Sequence, residues 1–179
     1  MDEWVNYFLV TLLLFCAAFD VGRNKIPNIV TIPFAIFAVA LHSSNYGMDG
    51  FLFSTAGLAT GIALLVIPYI FGGMGAGDVK QMGAVGSFLG AKATLSAFLF
   101  IALAGGIYSL ALMLIHRDVF KGFFSEKLLV LSSMVRLGQY VPNQTESSGQ
   151  KPRLKYGVAI TLGTITYLVL KSLGIKLLI

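Results

Sequence analysis

Two aspartates stand out in a chain that is otherwise largely apolar: Asp20 in FDVGRNKIPN, and Asp78 in GGMGAGDVKQMG, residues 72–83. An ionisable side chain at membrane depth is costly, so each acid is a functional candidate. Two carboxylates brought close together cannot both ionise cheaply, so one keeps its proton and the pair titrates as a unit. Such a pair is equipped to hydrolyse a peptide bond. The ionised member draws a proton from water, while the protonated member polarises the scissile carbonyl and later helps protonate the leaving amine. No metal, cofactor or covalent intermediate is required.

Each acid also has a local explanation. Asp78 follows a glycine run at the start of a helix and reads alone as an N-cap. Asp20 reads alone as an interfacial residue paired with Arg23 or Lys25. Their conjunction favours the dyad, because both stand at span ends, on one membrane face and beside glycine. Gly75 and Gly77 remove side chains next to Asp78, so an extended peptide could approach it, and they permit loop conformations closed to other residues.

Competing chemistries are poorly supplied. The sequence has no HExxH and no GxSxG. Its two histidines, His42 in an outer turn and His116 at a solvated loop start, are expected on opposite sides of the membrane. The one cysteine, Cys16, excludes an intramolecular disulfide and a CxxC zinc pair, and is expected as a small lipid- or helix-facing hydrophobe.

The elements that must position these acids follow from composition. Of 179 residues, 56% are apolar and 12% charged, with a mean hydropathy of +0.82, which describes an all-α polytopic membrane protein rather than a soluble core. About 20 apolar residues cross the hydrocarbon, and the pattern predicts six spans near 4–21, 29–46, 51–71, 78–91, 93–115 and 156–174. All should be helices, since lipid offers backbone groups no other partner. The start MDEWVNYFLV has two acids and no basic region, so the first span is expected to be retained. Residues 1–179 read as one transmembrane domain.

Lys and Arg fix the expected orientation. With the N-terminus outside, Arg23, Lys25, Lys80, Arg117, Lys121, Lys127, Arg136, Lys151, Arg153 and Lys155 fall inside, and Lys92, Lys171 and Lys176 outside. The net charge of +5 then reports topology and contact with anionic membrane lipid, not nucleic-acid binding. HSSNYGMDG, residues 42–50, is a short outer turn. Loop 116–155 is long; its first part suits an amphipathic interfacial helix on the inner leaflet, and its lysines and arginines are expected on lipid. Gly57 with Gly61, and Gly86 with Gly90, form GxxxG pairs that predict close helix packing.

GAGDVK resembles the GxGD signature of intramembrane aspartyl proteases, specifically the type IV prepilin leader peptidases. In that family the first catalytic aspartate ends a span and precedes a polar stretch with a Pro motif, as Asp20 does with Ile26, Pro27 and Asn28. The second follows glycines and precedes a basic residue, as Asp78 precedes Lys80. KYGVAITLG, residues 155–163, resembles the family's closing P-[FY]-G-x-A motif, with Lys155 where proline is usual. The resemblance implies Asp20 and Asp78 as catalytic residues, with Gly75, Gly77, Lys80, Pro27 and Asn28 as the surrounding substrate-binding loop.

It also implies a cell-membrane enzyme that removes a short basic leader from Flp/Tad pilins, pseudopilins or preflagellins. Cleavage would occur at the cytoplasmic face, after a small residue, commonly Gly, and before a hydrophobic helix. Paired CxxC motifs associated with N-methylation are absent, which is similar to a peptidase-only branch. A small transporter or channel with intramembrane carboxylates is the alternative reading, and it should show inverted repeats and acids nearer the midplane.

Overall fold

The structure, a computed structural model, describes residues 3–115 and 155–174. These form five helices: α1 (Glu3–Arg23), α2 (Asn28–Ile70), α3 (Ala76–Leu89), α4 (Ala91–Ile115) and α5 (Tyr156–Ser172). α1, α2 and α4 hold stretches long and apolar enough to cross a membrane, and α5 is a shorter apolar helix. The chain divides into one compact unit of Met1–Gly106 with Leu154–Ile179 and a second of Ile107–Arg153. Of the second, only the end of α4 is described. The expected interfacial helix, His116 and the cations of loop 116–155 other than Lys155 lie outside the described residues, as does Lys176.

The second and third expected spans are one helical element, and the nine-residue outer turn between them reduces to a break at Gly47 (φ 60°, ψ −136°). Glycine reaches that conformation without the Cβ penalty other residues bear, so helical hydrogen bonding resumes at once. The two arms fold back on each other around α3. The first arm runs parallel to α3, with Asn28 bonded to Lys80 and His42 to Phe88. The second runs antiparallel, with Gly57 against Gly86 and Gly61 against Met82.

Both GxxxG expectations hold at this interface. A Cβ on Gly57 would run into the Gly86 carbonyl oxygen, and one on Gly86 into that of Gly57, so the two backbones touch where neither residue has a side chain. Gly90 closes α3 at φ 77° with the Phe53 ring packed where a Cβ would stand. α3 is the centre of the packing: from Asp78 to Leu89 every residue except Lys80 is buried. A helix covered on all sides shows no amphipathic stripe, which is why its sequence reads as short and glycine-rich.

α1 buries a single stripe, Val5, Leu9, Leu12, Leu13 and Cys16, at helical spacing, and Asp20 continues that stripe. α5 lies antiparallel to α1, with Thr161 on Leu13 and Val158 on Asp20. It also meets α4, where a Cβ on Gly163 would press into the Ile101 backbone. The core is therefore centred on α3 between the arms of α2, with buried residues of α1, α4 and α5 completing it.

Candidate active site

Asp20 and Asp78 are both buried, at 6% and 8% exposure, and both stand near helix ends. Asp20 is in the last turn of α1, and Asp78 is the third residue of α3. The N-cap reading of Asp78 is corrected: Gly75 occupies the cap in extended conformation (φ −85°, ψ 152°). Asp78 Oδ2 reaches back to accept the Gly75 N–H at 2.9 Å, which satisfies one of the donors a helix start leaves open.

Asp20 is held by the start of α5. The Val158 N–H donates to Asp20 Oδ2 at 3.3 Å, and Gly157 packs against the same oxygen. Asp20 thus sits at a helix N-terminus, whose backbone donors and dipole favour negative charge, and α3, which carries Asp78, reaches the same turn through Gln81 Nε2, 3.4 Å from the Gly157 carbonyl oxygen. Arg23, expected as a local partner of Asp20, instead lies over the Phe19 ring at 5.8 Å from its centroid.

The glycines act by absence of a side chain. A methyl group on Gly157 would lie 2.8 Å from Asp20 Oδ2 and 2.8 Å from Ile26 Cδ1; one on Gly77 would lie 3.1 Å from Ile26 Cβ and 3.2 Å from its carbonyl oxygen. Ile26, itself buried, therefore fills the space beside both aspartate-bearing segments. The expected conformational role of Gly75 and Gly77 is corrected, since neither has a positive φ; Gly72 has one, at 71°. Gly75 stands beside the acid, where a Cβ would be 3.3 Å from Asp78 Oδ2.

Pro27 caps the start of α2. Asn28 accepts from the Lys80 ammonium at 2.9 Å, so the residues that follow Asp20 are tied to those that follow Asp78. Lys155, standing where proline was expected, donates to the Val21 carbonyl at 3.2 Å and links α5 to the end of α1. The contacts tie Asn28 to Lys80 and Gly77 to Ile26, with Pro27 between Ile26 and Asn28 in the chain. His42, expected in an outer turn, is instead buried, with Nε2 at 3.2 Å from the Phe88 carbonyl oxygen. Cys16 is helix-facing and fully buried.

Sequence reasoning missed the polar link beneath the acids. Gln81, one turn beyond Asp78, is fully buried; its Nε2 lies 3.4 Å from the Gly157 carbonyl oxygen and 3.3 Å from Thr161 Oγ1. The Thr161 hydroxyl is in reach of the Leu13 carbonyl at 3.2 Å and the Gly157 carbonyl at 2.8 Å. One chain of contacts therefore joins α3, α5 and α1. A buried amide at helical spacing from a buried acid was the available signal. Gln81 Oε1 has no partner among the described residues. Among the described residues no cluster of His, Cys, Asp and Glu suits a metal ion.

The model of the type IV leader peptidase family matches residues 7–110, a region with both aspartates but without Gly157. A prepilin leader peptidase/N-methyltransferase of Bacillus subtilis (strain 168) is 32% identical over 110 residues, covering 60% of this chain and 44% of that protein. The chain thus matches less than half the length of that relative. No solved structure matches.

Proposed function

The chain belongs to the type IV leader peptidase family, and from that premise we propose that it is a membrane-embedded aspartic endopeptidase whose catalytic pair is Asp20 and Asp78. Its substrates are prepilin-like precursors: Flp/Tad pilins, pseudopilins or preflagellins. It removes a short basic leader ahead of a hydrophobic helix. The observation that carries the reading is the burial of both carboxylates at helix ends that meet the first turn of α5: the Val158 N–H donates to Asp20 Oδ2, and Gln81, one turn beyond Asp78, reaches the Gly157 carbonyl oxygen.

In the proposed reaction one carboxylate is ionised and takes a proton from water as the water oxygen attacks the scissile carbonyl carbon. The protonated partner donates to the carbonyl oxygen. Collapse of the tetrahedral gem-diol breaks the C–N bond as the amine takes up a proton from the dyad and one gem-diol hydroxyl gives its proton back to it, so the pair returns to one proton shared between two acids. The Gly75 and Val158 N–H groups hold the carboxylates in place without competing for their protons. Lys80, Asn28, Pro27, Gly75 and Gly77 form the rim that receives the peptide. We assign the chain hydrolysis alone.

The proposed topology is six crossings: α1, the two arms of α2, α3, α4 and α5. The N-terminus is outside and the dyad is at the cytoplasmic face of the cell membrane, where a basic leader resides before export. Both acids lie at helix ends rather than mid-helix, which favours hydrolysis of a membrane-surface peptide over transport. The test is to express the protein with a candidate prepilin and follow leader removal by gel mobility for wild type, Asp20→Asn and Asp78→Asn. Both isosteric variants are expected to leave the precursor uncut; normal processing by either rejects the mechanism.

A further inference from the structure

At the far end of the helices from the aspartates lies a cavity of about 710 Å³, within the roughly 300–1,000 Å³ typical of small-molecule sites. Each site-bearing helix leads there. Val5 of α1 is roughly 22 Å of helix from Asp20, Leu89 of α3 roughly 16 Å from Asp78, and Lys171 of α5 roughly 21 Å from Gly157; all three line the cavity. Its walls are mostly apolar, with Leu41 and Phe53 from the two arms of α2 beside Val5 and Leu89.

The rim is charged. Lys92 comes from the first turn of α4 and Lys171 from the last turn of α5, and Asn45 and Asp49 flank the break in α2. In the topology proposed above, only three cations face outwards, against the usual bias of Lys and Arg to the inside. Two of those three, Lys92 and Lys171, converge from distant parts of the sequence on this one cavity. The start of α4 adds its dipole to the same rim, since Ala91, Lys92 and Ala93 all line it. Two ammonium groups and a helix N-terminus over an apolar slot fit a phosphate attached to a hydrocarbon chain. A single carboxylate, Asp49, beside Asn45 suits hydroxyl donors on the headgroup and disfavours a second phosphate.

We propose that this cavity binds one anionic phospholipid of the outer leaflet, of the phosphatidylglycerol type. Its phosphate rests on Lys92 and Lys171, its headgroup hydroxyls on Asp49 and Asn45, and an acyl chain along Val5, Leu41, Phe53 and Leu89. The lipid wedges between α1, α2, α4 and α5 at the end remote from the dyad. This rests on the membrane topology proposed above, but its test reads bound lipid and not cleavage, so it fails independently of the peptidase reading.

The detergent-purified protein is titrated with phosphatidylglycerol and with phosphatidylethanolamine, and bound lipid is counted by native mass spectrometry. Wild type should prefer phosphatidylglycerol. The Lys92→Gln/Lys171→Gln double variant should lose roughly 30-fold in affinity for it, at about one electrostatic increment per lysine. Ala56→Phe fills the cavity from an exposed position on α2 and should lose binding with both lysines intact. Binding by the double variant within about twofold of wild type, equal affinity for the zwitterionic lipid, or displacement by inorganic phosphate alone would each overturn the proposal. A photoactivatable phosphatidylglycerol on the wild-type protein needs no variant to fold: its cross-links should fall on residues that line the cavity, such as Leu41, Phe53, Lys92 or Lys171, and labelling confined to residues outside it contradicts the site.

Discussion

Gly157→Ala isolates the contact that joins the two aspartate motifs. The added methyl would stand 2.8 Å from Asp20 Oδ2, 3.1 Å from Asp20 Cβ and 2.8 Å from Ile26 Cδ1. Unstrained contacts need about 3.5 Å, so Asp20 or the start of α5 must yield by roughly 0.5 Å or more. A displacement of about 1 Å at a reacting group costs about 10²-fold in rate, so the variant should lose roughly 10- to 100-fold in kcat on a prepilin, with KM little changed. Stability should move much less, because alanine favours helix over glycine by about 0.5–1 kcal/mol, which offsets part of the strain. Ile26→Val in the same background removes one of the close atoms and should restore part of the rate. The assay is cleavage by purified protein in detergent, with the thermal midpoint measured in parallel. Activity within about twofold of wild type, with the helix start intact, would refute the claim that α5 clamps Asp20.

Three further outcomes follow from the packing. Gly86→Ala drives a methyl into the Gly57 carbonyl and should cost about 1–3 kcal/mol by overpacking, read as a lower thermal midpoint with cleavage lost in proportion to folded protein. Gln81→Leu removes both the link to Gly157 and Thr161 and the orphaned Oε1; stability should stay within about 1 kcal/mol while kcat falls about tenfold as the dyad loosens. Lys80→Met and Asn28→Ala break the same exposed hydrogen bond, so their effects on KM should be non-additive in a double-mutant cycle, with a coupling of about 0.5–1.5 kcal/mol.

Much of this site was legible because its chemistry is expensive where it stands. A carboxylate completing the apolar stripe of α1 and another behind a glycine run have few inexpensive explanations, and the paired glycines of α2 and α3 announce where backbones touch. The turn at residues 42–50 was misjudged because polar residues there mark a loop by composition, whereas Gly47 alone reverses the chain. His42 was misplaced for the same reason: its partner is a carbonyl of α3, distant in sequence. The roles of Gly157 and Gln81 were hidden because each depends on helices meeting in space; neither backbone donors nor an amide between three helices leaves a periodic signal.

Asp20 and Asp78 are proposed to act as one unit, and single-turnover cleavage of a purified prepilin reads that coupling. Asp20→Asn, Asp78→Asn and the double variant are compared with wild type in the same lipid. Residues that act together lose their full effect at the first removal, so each single variant should fall at least about 10³-fold, and the double variant should be no slower than the worse single. A single variant that retains cleavage near the wild-type rate, or a double variant whose loss is the product of the two singles, would mean that the two aspartates act separately.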